Sequence, residues 1–271
     1  MATTPESEGA ASDVPTQSPP VPVEPAAPAR VMSIHAHPDD QEFTVGGTLA
    51  KWARAGSAVV TVCITSGNAG SNEYTPASMT REALAPIREE EQTNACRVLG
   101  IPEVIFLRYE DGMLEPSIAL RRELTRLIRR HRPDAVLCGD PTVRYYGANY
   151  LNHPDHRAAG FLVLDAIVAA RDPHFFPHDE LDPHRPRDVL LFEADEIDHY
   201  EAVDNTVAKK IDALLAHRSQ WRSTMGIDGD SPDTDAQRAA FTARIDGEVR
   251  DWGMELAGGG AYEAFKRLTE L

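Results

Sequence analysis

Three cysteines stand in 271 residues, Cys63, Cys96 and Cys138, and no two of them are spaced as C-x-x-C. That excludes a disulfide framework and a cysteine-built zinc site. Scattered thiols inside apolar patterns read instead as buried and reduced, in a cytoplasmic protein. Basic residues are also scarce. Lys and Arg number 27 against 43 Asp and Glu, a net charge of −16, which argues against nucleic acid or an anionic membrane as partner and leaves a small neutral ligand open. No apolar run approaches a membrane span, and the start of the chain lacks the basic residues and apolar stretch of a secretory signal. Two glycine signatures are missing as well: G-x-G-x-x-G, for a dinucleotide, and G-x-S-x-G, for a serine hydrolase.

What is present is ordinary for a globular protein, 42% hydrophobic and 26% charged residues, enough for one sizeable core. Residues 1–30 hold seven prolines among Ala, Ser and Thr with no apolar period. They are expected to be a disordered tail. Residues 31–271 are expected to form a single α/β domain with C-terminal helices. Strand signals at Val31–Ala36, Ala58–Thr65, Val104–Leu107, Ala135–Gly139 and Asp188–Phe192 alternate with helical patterns at 42–55, about 81–99, 118–131 and 156–171. This alternation predicts a Rossmann-like, mostly parallel sheet with helices on both faces. Ser117 is placed to cap the third helix, whose stripe is Leu120, Leu124, Leu127 and Ile128.

Two polar clusters break these patterns. The first, His37-Pro38-Asp39-Asp40, lies between the first strand and a helix carrying Val45, Leu49 and Trp52. It therefore sits at the carboxyl end of a strand, where open α/β sheets bind ligands. Pro38 keeps His37 out of the helical region, and two adjacent carboxylates repel unless a cation holds them. The second cluster, Asn152-His153-Pro154-Asp155-His156, also precedes a helix. Together they offer His37, Asp40 and His156, and two His with one carboxylate is a usual catalytic zinc set that also suits Fe2+. Asp39 and His153 are left over as an acid/base pair for metal-assisted hydrolysis.

These paired motifs, Ala36-His-Pro-Asp-Asp40 and His153-Pro-Asp-His156, resemble those of the PIG-L/LmbE-like family of zinc-dependent N-deacetylases over roughly residues 31 to 222. The resemblance implies an enzyme acting on a small N-acyl amino sugar, with zinc on His37, Asp40 and His156, a general base at Asp39 and an electrostatic or acid partner at His153. Gln41 stands where the family usually has Glu, and Glu42 follows. By the same resemblance, Arg88 in Arg88-Glu-Glu-Glu91 faces the substrate and Asp111 is a sugar-binding carboxylate. Tyr150 is set against a tyrosine that assists the oxyanion in mycothiol-type relatives, one residue out of place. His217-Arg-Ser-Gln220 matches a family H-x-S-Q stretch, which makes His217 a support behind the pocket, with a satisfied core histidine as the alternative.

Other features stay open on the residues alone. Asp155 either hydrogen-bonds a motif histidine or caps its helix. The loop Thr65–Ser71 is a pocket wall or a plain connection, and Asp140–Tyr150 offers aromatics to a sugar ring. The Pro- and His-rich stretch Asp172–Arg187 reads as an exposed loop, either a lid or a contact in a homo-oligomer. The acidic stretch Asp228–Asp235 does not fit an EF-hand. Gly258-Gly-Gly260 breaks the last helix before a short amphipathic end. The expected reaction is removal of N-acetyl from an N-acetylglucosamine derivative. Alternatives are an amidase for a larger amide, such as a mycothiol S-conjugate, and a sugar- or nucleotide-binding module without catalysis.

Overall fold

The computed structural model describes residues 26–71, 75–76, 78–148, 150–256 and 258–269. The proline-rich tail up to residue 25 lies outside the described residues. Beyond it, Pro28 O accepts a hydrogen bond from Ser57 Oγ (2.6 Å), and the first strand, β1, spans Arg30–His35. It leads into helix α1 (Asp40–Arg54), strand β2 (Ala58–Thr65), helix α2 (Arg81–Leu99) and strand β3 (Glu103–Tyr109). Helix α3 (Ile118–His131) and strand β4 (Ala135–Gly139) follow. A two-stranded hairpin, β5 (Tyr145–Tyr146) and β6 (Tyr150–Leu151), then precedes helix α4 (Pro154–Arg171). The remainder is β7 (Asp188–Phe192), β8 (His199–Ala202), α5 (Val207–Leu214), α6 (Thr234–Glu255) and β9 (Tyr262–Thr269).

The main sheet has the order β3-β2-β1-β4-β7-β9-β8. The strands from β3 to β7 pair in parallel, and β9 runs antiparallel to both of its neighbours. The α/β class and the helices on both faces are as expected. Alternation along β1 explains the layers. Met32 and Ile34 join α3 and α4 residues such as Leu124, Ile128, Leu162 and Val163. Val31 points the other way, onto Val45, Leu49, Trp52 and Leu99 of α1 and α2. Ser117 Oγ accepts from Leu120 N, capping α3 as its position predicts. All three cysteines are buried and unpaired, and burial pushes the Cys96 thiol up to about 12. No described helix is long and apolar enough to cross a membrane.

The C-terminal segment departs from the expected helices. After Gly258–Gly260 the chain forms β9, in which Glu263 and Phe265 alternate inward, the period of a strand. β9 enters the sheet between β7 and β8, two strand contacts that neither partner reveals alone. Glu263 also ties this strand to α1. Its carboxylate accepts from the mid-helix N–H groups of Gly47 (2.9 Å) and Thr48 (2.8 Å) and pairs with Lys210 Nζ at 2.6 Å. Lys210 Nζ donates in turn to Phe43 O (2.7 Å). Both charged side chains are almost fully buried, 3% and 2% exposed. Lys210→Met leaves that carboxylate buried without its cation and is expected to cost about 3–5 kcal/mol of stability. Denaturant unfolding checks this; a loss below about 1 kcal/mol, the size of a surface pair, would show that the clamp is not needed.

Candidate active site

Strand order reverses between β1 and β4, and both polar motifs follow these two strands. The site thus lies at the topological switch point of the sheet. Each motif is shaped locally. Asp39 has φ 88° and ψ −27°, a left-handed conformation that non-glycine residues rarely adopt. Long-range contacts hold it there. Arg88 Nη2 donates to Pro38 O (2.6 Å) and Asp39 Oδ2 (3.2 Å), Arg88 Nη1 donates to Gly67 O (2.6 Å), and Asp39 N donates to Gln92 Oε1 (2.9 Å). Gly67 is obligatory here: a Cβ would lie 2.4 Å from Arg88 Nη1. Across the switch point, Pro154 opens α4 as its first residue. Gly160 lets that helix meet β4, since a Cβ would come 2.6 Å from Gly139 O.

The two motifs converge as expected. His37 Nδ1 lies 3.2 Å from His156 Nε2 and 3.5 Å from Asp40 Oδ2, and His156 Nε2 lies 3.2 Å from Asp40 Oδ1. Ligand atoms of a tetrahedral zinc site, with bonds of about 2.0–2.2 Å, stand roughly 3.3–3.6 Å apart, so the donors present fit such an ion. The ring of His153 is within 4.9 Å of His37 and 5.4 Å of His156, centroid to centroid. The His37, His153 and His156 nitrogens form a second group close enough to share an ion. Hydrogen bonds distinguish their duties. His37 turns Nε2 towards Asp111 Oδ1 (3.0 Å) and Asp155 Oδ2 (3.4 Å), which leaves Nδ1 as the free donor atom. His153 Nδ1 accepts from Asp155 N (3.2 Å), which leaves its Nε2 for a proton.

The charges follow this geometry. Burial opposes ionisation of His37, yet Asp40, Asp111 and Asp155 together hold its pKa well above that of a free imidazole. Burial likewise opposes the Asp40 carboxylate, and His156 and His37 bring it well below the usual range. Burial raises the Asp39 carboxyl, partly countered by the Arg88 guanidinium. His153 is lowered by burial and by His37 and His156.

Arg88, Asp111 and Asp155 are all tied into the floor of the site. Arg88, expected to face the substrate, lines the cavity but is only 4% exposed, with its terminal nitrogens on Pro38, Gly67 and Asp39. Asp111, expected on a sugar, also lines the cavity, and its carboxylate meets His37 Nε2 (3.0 Å) and accepts from Ala69 N (2.6 Å). Burial would raise its carboxyl, but the His37 hydrogen bond and charge hold it at about 2. Asp155 is no helix cap, since that position belongs to His153. It accepts from Gly112 N (2.7 Å) and Leu114 N (3.2 Å) and faces His37. Tyr150 stands at the rim, half exposed, its ring 5.9 Å from Tyr146. His217 is fully buried, with Nε2 3.2 Å from Glu42 Oε2. Glu42 Oε1 accepts from Gln92 (2.9 Å) and Gln41 (2.8 Å), so His217 stands behind the Asp39 turn.

A cavity of about 650 Å³ opens over this floor, within the range of about 300–1,000 Å³ typical of small-molecule sites. Two of its features went unread in the sequence. Glu193, at φ 55° after β7, accepts from Tyr146 Oη (3.1 Å) at one wall. Arg244, Glu248 and Trp252 of α6 line the other wall. Glu193 carries no glycine to flag its turn, and the α6 stripe has the pattern of any solvated helix face.

Comparison with known proteins agrees with this geometry. The PIG-L family, described as GlcNAc-PI de-N-acetylase, matches residues 32–167, half of the chain. Diacetylchitobiose deacetylase of Thermococcus kodakarensis is 32% identical over 71% of this chain and 70% of its own length. A Bacillus anthracis protein named "Probable N-acetyl-alpha-D-glucosaminyl L-malate deacetylase 2" is 30% identical over 70% and 81% of the two chains. Among solved structures, N,N'-diacetylchitobiose deacetylase from Pyrococcus horikoshii superposes with a TM-score of 0.75 at 28% identity, covering 89% of this chain and 84% of that one. The chain belongs to the PIG-L/LmbE-like family of N-deacetylases.

Proposed function

We propose that this protein is a zinc-dependent hydrolase that removes the N-acetyl group from an N-acetylglucosamine-type sugar derivative. The observation that carries this reading is the convergence of His37 Nδ1, Asp40 and His156 Nε2 within 3.2–3.5 Å, with Asp39 and His153 beside them. Those three residues would hold the ion, zinc in preference to Fe2+ by the family's habit. When bound, the ion supplies Lewis acidity to the acyl carbonyl and acidifies water.

The chain's own groups do the remaining work. Asp39, fixed by Arg88 and Gln92, takes the proton of the attacking water and passes it to the leaving amine. His153 donates its Nε2–H to the developing oxyanion; such a donor is worth about 3 kcal/mol. Asp155 and Asp111 keep the His37 ring in the tautomer that leaves Nδ1 free. Tyr150 and Tyr146 offer ring faces and hydroxyls to the sugar. The buried thiols fit a reducing, cytoplasmic setting. Release of primary amine and acetate from a panel of N-acetylglucosamine derivatives, with a larger N-acyl amide included, tests the reaction. Cleavage of the larger amide alone would transfer the assignment to an amidase.

Arg88 supplies a pH test. Its cation opposes the burial that raises the Asp39 carboxyl. Asp39 acts as base only when ionised, so activity fails as pH falls through its pKa. Arg88→Met removes the opposing charge and raises that pKa further. The acid limb of kcat/KM is expected to move to higher pH, and less far in Arg88→Lys. An acid limb that stays in place, or moves to lower pH, would break the link between Arg88 and the base.

A further inference from the structure

Glu42 takes no part in the chemistry described so far, yet its side chain is fully buried behind the Asp39 turn. A buried carboxylate is costly unless donors surround it. Here three do. Gln92 Nε2 (2.9 Å) and Gln41 Nε2 (2.8 Å) donate to its Oε1, and His217 Nε2 lies 3.2 Å from its Oε2. Gln41, Gln92 and His217 are fully buried as well.

The consequence of this arrangement is directional. A carboxylate offers acceptors only, whereas a glutamine side chain has one end that donates and one that accepts. Glu42 therefore draws the amino end of Gln92 towards itself. Oε1 of Gln92 is left at the opposite side, where it accepts from Asp39 N (2.9 Å). Gln41 is ordered in the same way: its Nε2 faces Glu42, and its Oε1 accepts from Thr61 Oγ1 (2.6 Å). Turned about, the Gln92 amide would set N–H against the N–H of Asp39 and leave a buried donor unmet. Asp39 holds φ 88°, so its turn depends on such ties. Arg88 grips the Pro38 carbonyl and the Asp39 carboxylate, and Gln92 grips the Asp39 backbone N–H.

We propose that Glu42, held by His217, is a positioning residue for the base: by orienting the Gln92 amide it fixes the Asp39 turn from behind. This rests on the deacetylase reading, in which Asp39 is the base. The test is a double-mutant cycle on the zinc-loaded full chain. It is read by kcat and KM for acetate release, by zinc per chain and by hydrogen exchange of the Asp39 amide, followed by NMR. Glu42→Gln lets position 42 present an amino group to Gln92 and turn its amide about. This variant is expected to lose about 10–100-fold in kcat, as misplacing a reacting group does, with KM little changed and one zinc bound. Its Asp39 amide is expected to exchange about tenfold or more faster. Gln92→Glu sets two buried carboxylates against each other and is expected to lose as much. The two substitutions together exchange acid and amide. The carboxylate now at position 92 accepts from Asp39 N and from the amide at position 42. The double variant is therefore expected to exceed both singles in kcat and to recover slow exchange at Asp39, whereas merely structural damage would make the pair worse than either. His217→Leu, which removes the donor to Oε2, is expected to show the same losses in weaker form, and His217→Gln, which keeps a donor, to show less. A double variant no better than the worse single, or unchanged exchange at Asp39 in Glu42→Gln, overturns the proposal. Fast exchange at Asp39 in the wild-type chain overturns it without any variant. If the wild-type chain releases no acetate from any N-acetylglucosamine derivative, the deacetylase reading falls, and exchange at Asp39 still decides whether Glu42 holds the turn.

Discussion

Asp39→Asn is expected to lower kcat by about 10³-fold or more while one zinc per chain stays bound, the upper part of the range for a general base. The substitution is mild structurally. Asparagine adopts the left-handed conformation more readily than other side chains, and Asp39 holds φ 88°. The Gln92 contact uses the backbone N–H of residue 39 and is untouched. Asp39 also lies outside the set whose atoms close to 3.2–3.5 Å, so metal content reports on other residues. What changes is basicity: an amide cannot take the proton that a buried, raised carboxylate can. Rate and zinc content measured on one preparation decide the matter. Activity within about tenfold of wild type, with zinc bound, would remove Asp39 as the base.

His156→Ala is expected to lose the metal itself. The substitution deletes one donor of the three, and Asp40 Oδ1, 3.2 Å from His156 Nε2, keeps only His37 opposite it. Changing a group that merely orients a ligand costs about 10–100-fold in metal affinity, so deleting a ligand should cost more. Zinc remaining after dialysis, read by elemental analysis, should fall well below one per chain, and activity should fall with it. Excess zinc should restore little. In wild-type protein, by contrast, chelation should abolish activity and zinc should return it. Stoichiometric zinc in the dialysed variant would transfer the site to the neighbouring His37–His153 pair or to the Asp111–Asp155 side of His37.

Much of this site was legible because its donors are local. His37, Asp39 and Asp40 share one strand-to-helix turn, and His153 and His156 share one helix start; each is announced by a proline and by the apolar pattern beside it. Direction was the harder question. Arg88 and Asp111 could be placed near the pocket, but their inward turn depends on Pro38 O and on the His37 ring, partners 50 and more residues away in sequence. The protonation of His153 depends on burial and two other imidazoles, and no motif encodes that sum. β8 and β9 escaped for a related reason. A four-residue strand and one with Lys266 and Arg267 in its second half carry weak periodicity; β8 is a strand because β9 pairs with it, and β9 because β7 and β8 flank it. Tertiary pairing outweighs local propensity in such segments.

That pairing orders events in time as the chain is made. Tyr262 of β9 is synthesised sixty residues after Ala202 of β8, roughly 3–12 s later at about 5–20 residues per second. Until then β8 has no neighbour in the sheet, β7 shows an open edge, and Lys210 waits beside α1 without Glu263. Both motifs and the Tyr146–Glu193 wall are thus made before that interval, and the α6 wall, with Arg244, Glu248 and Trp252, is made within it.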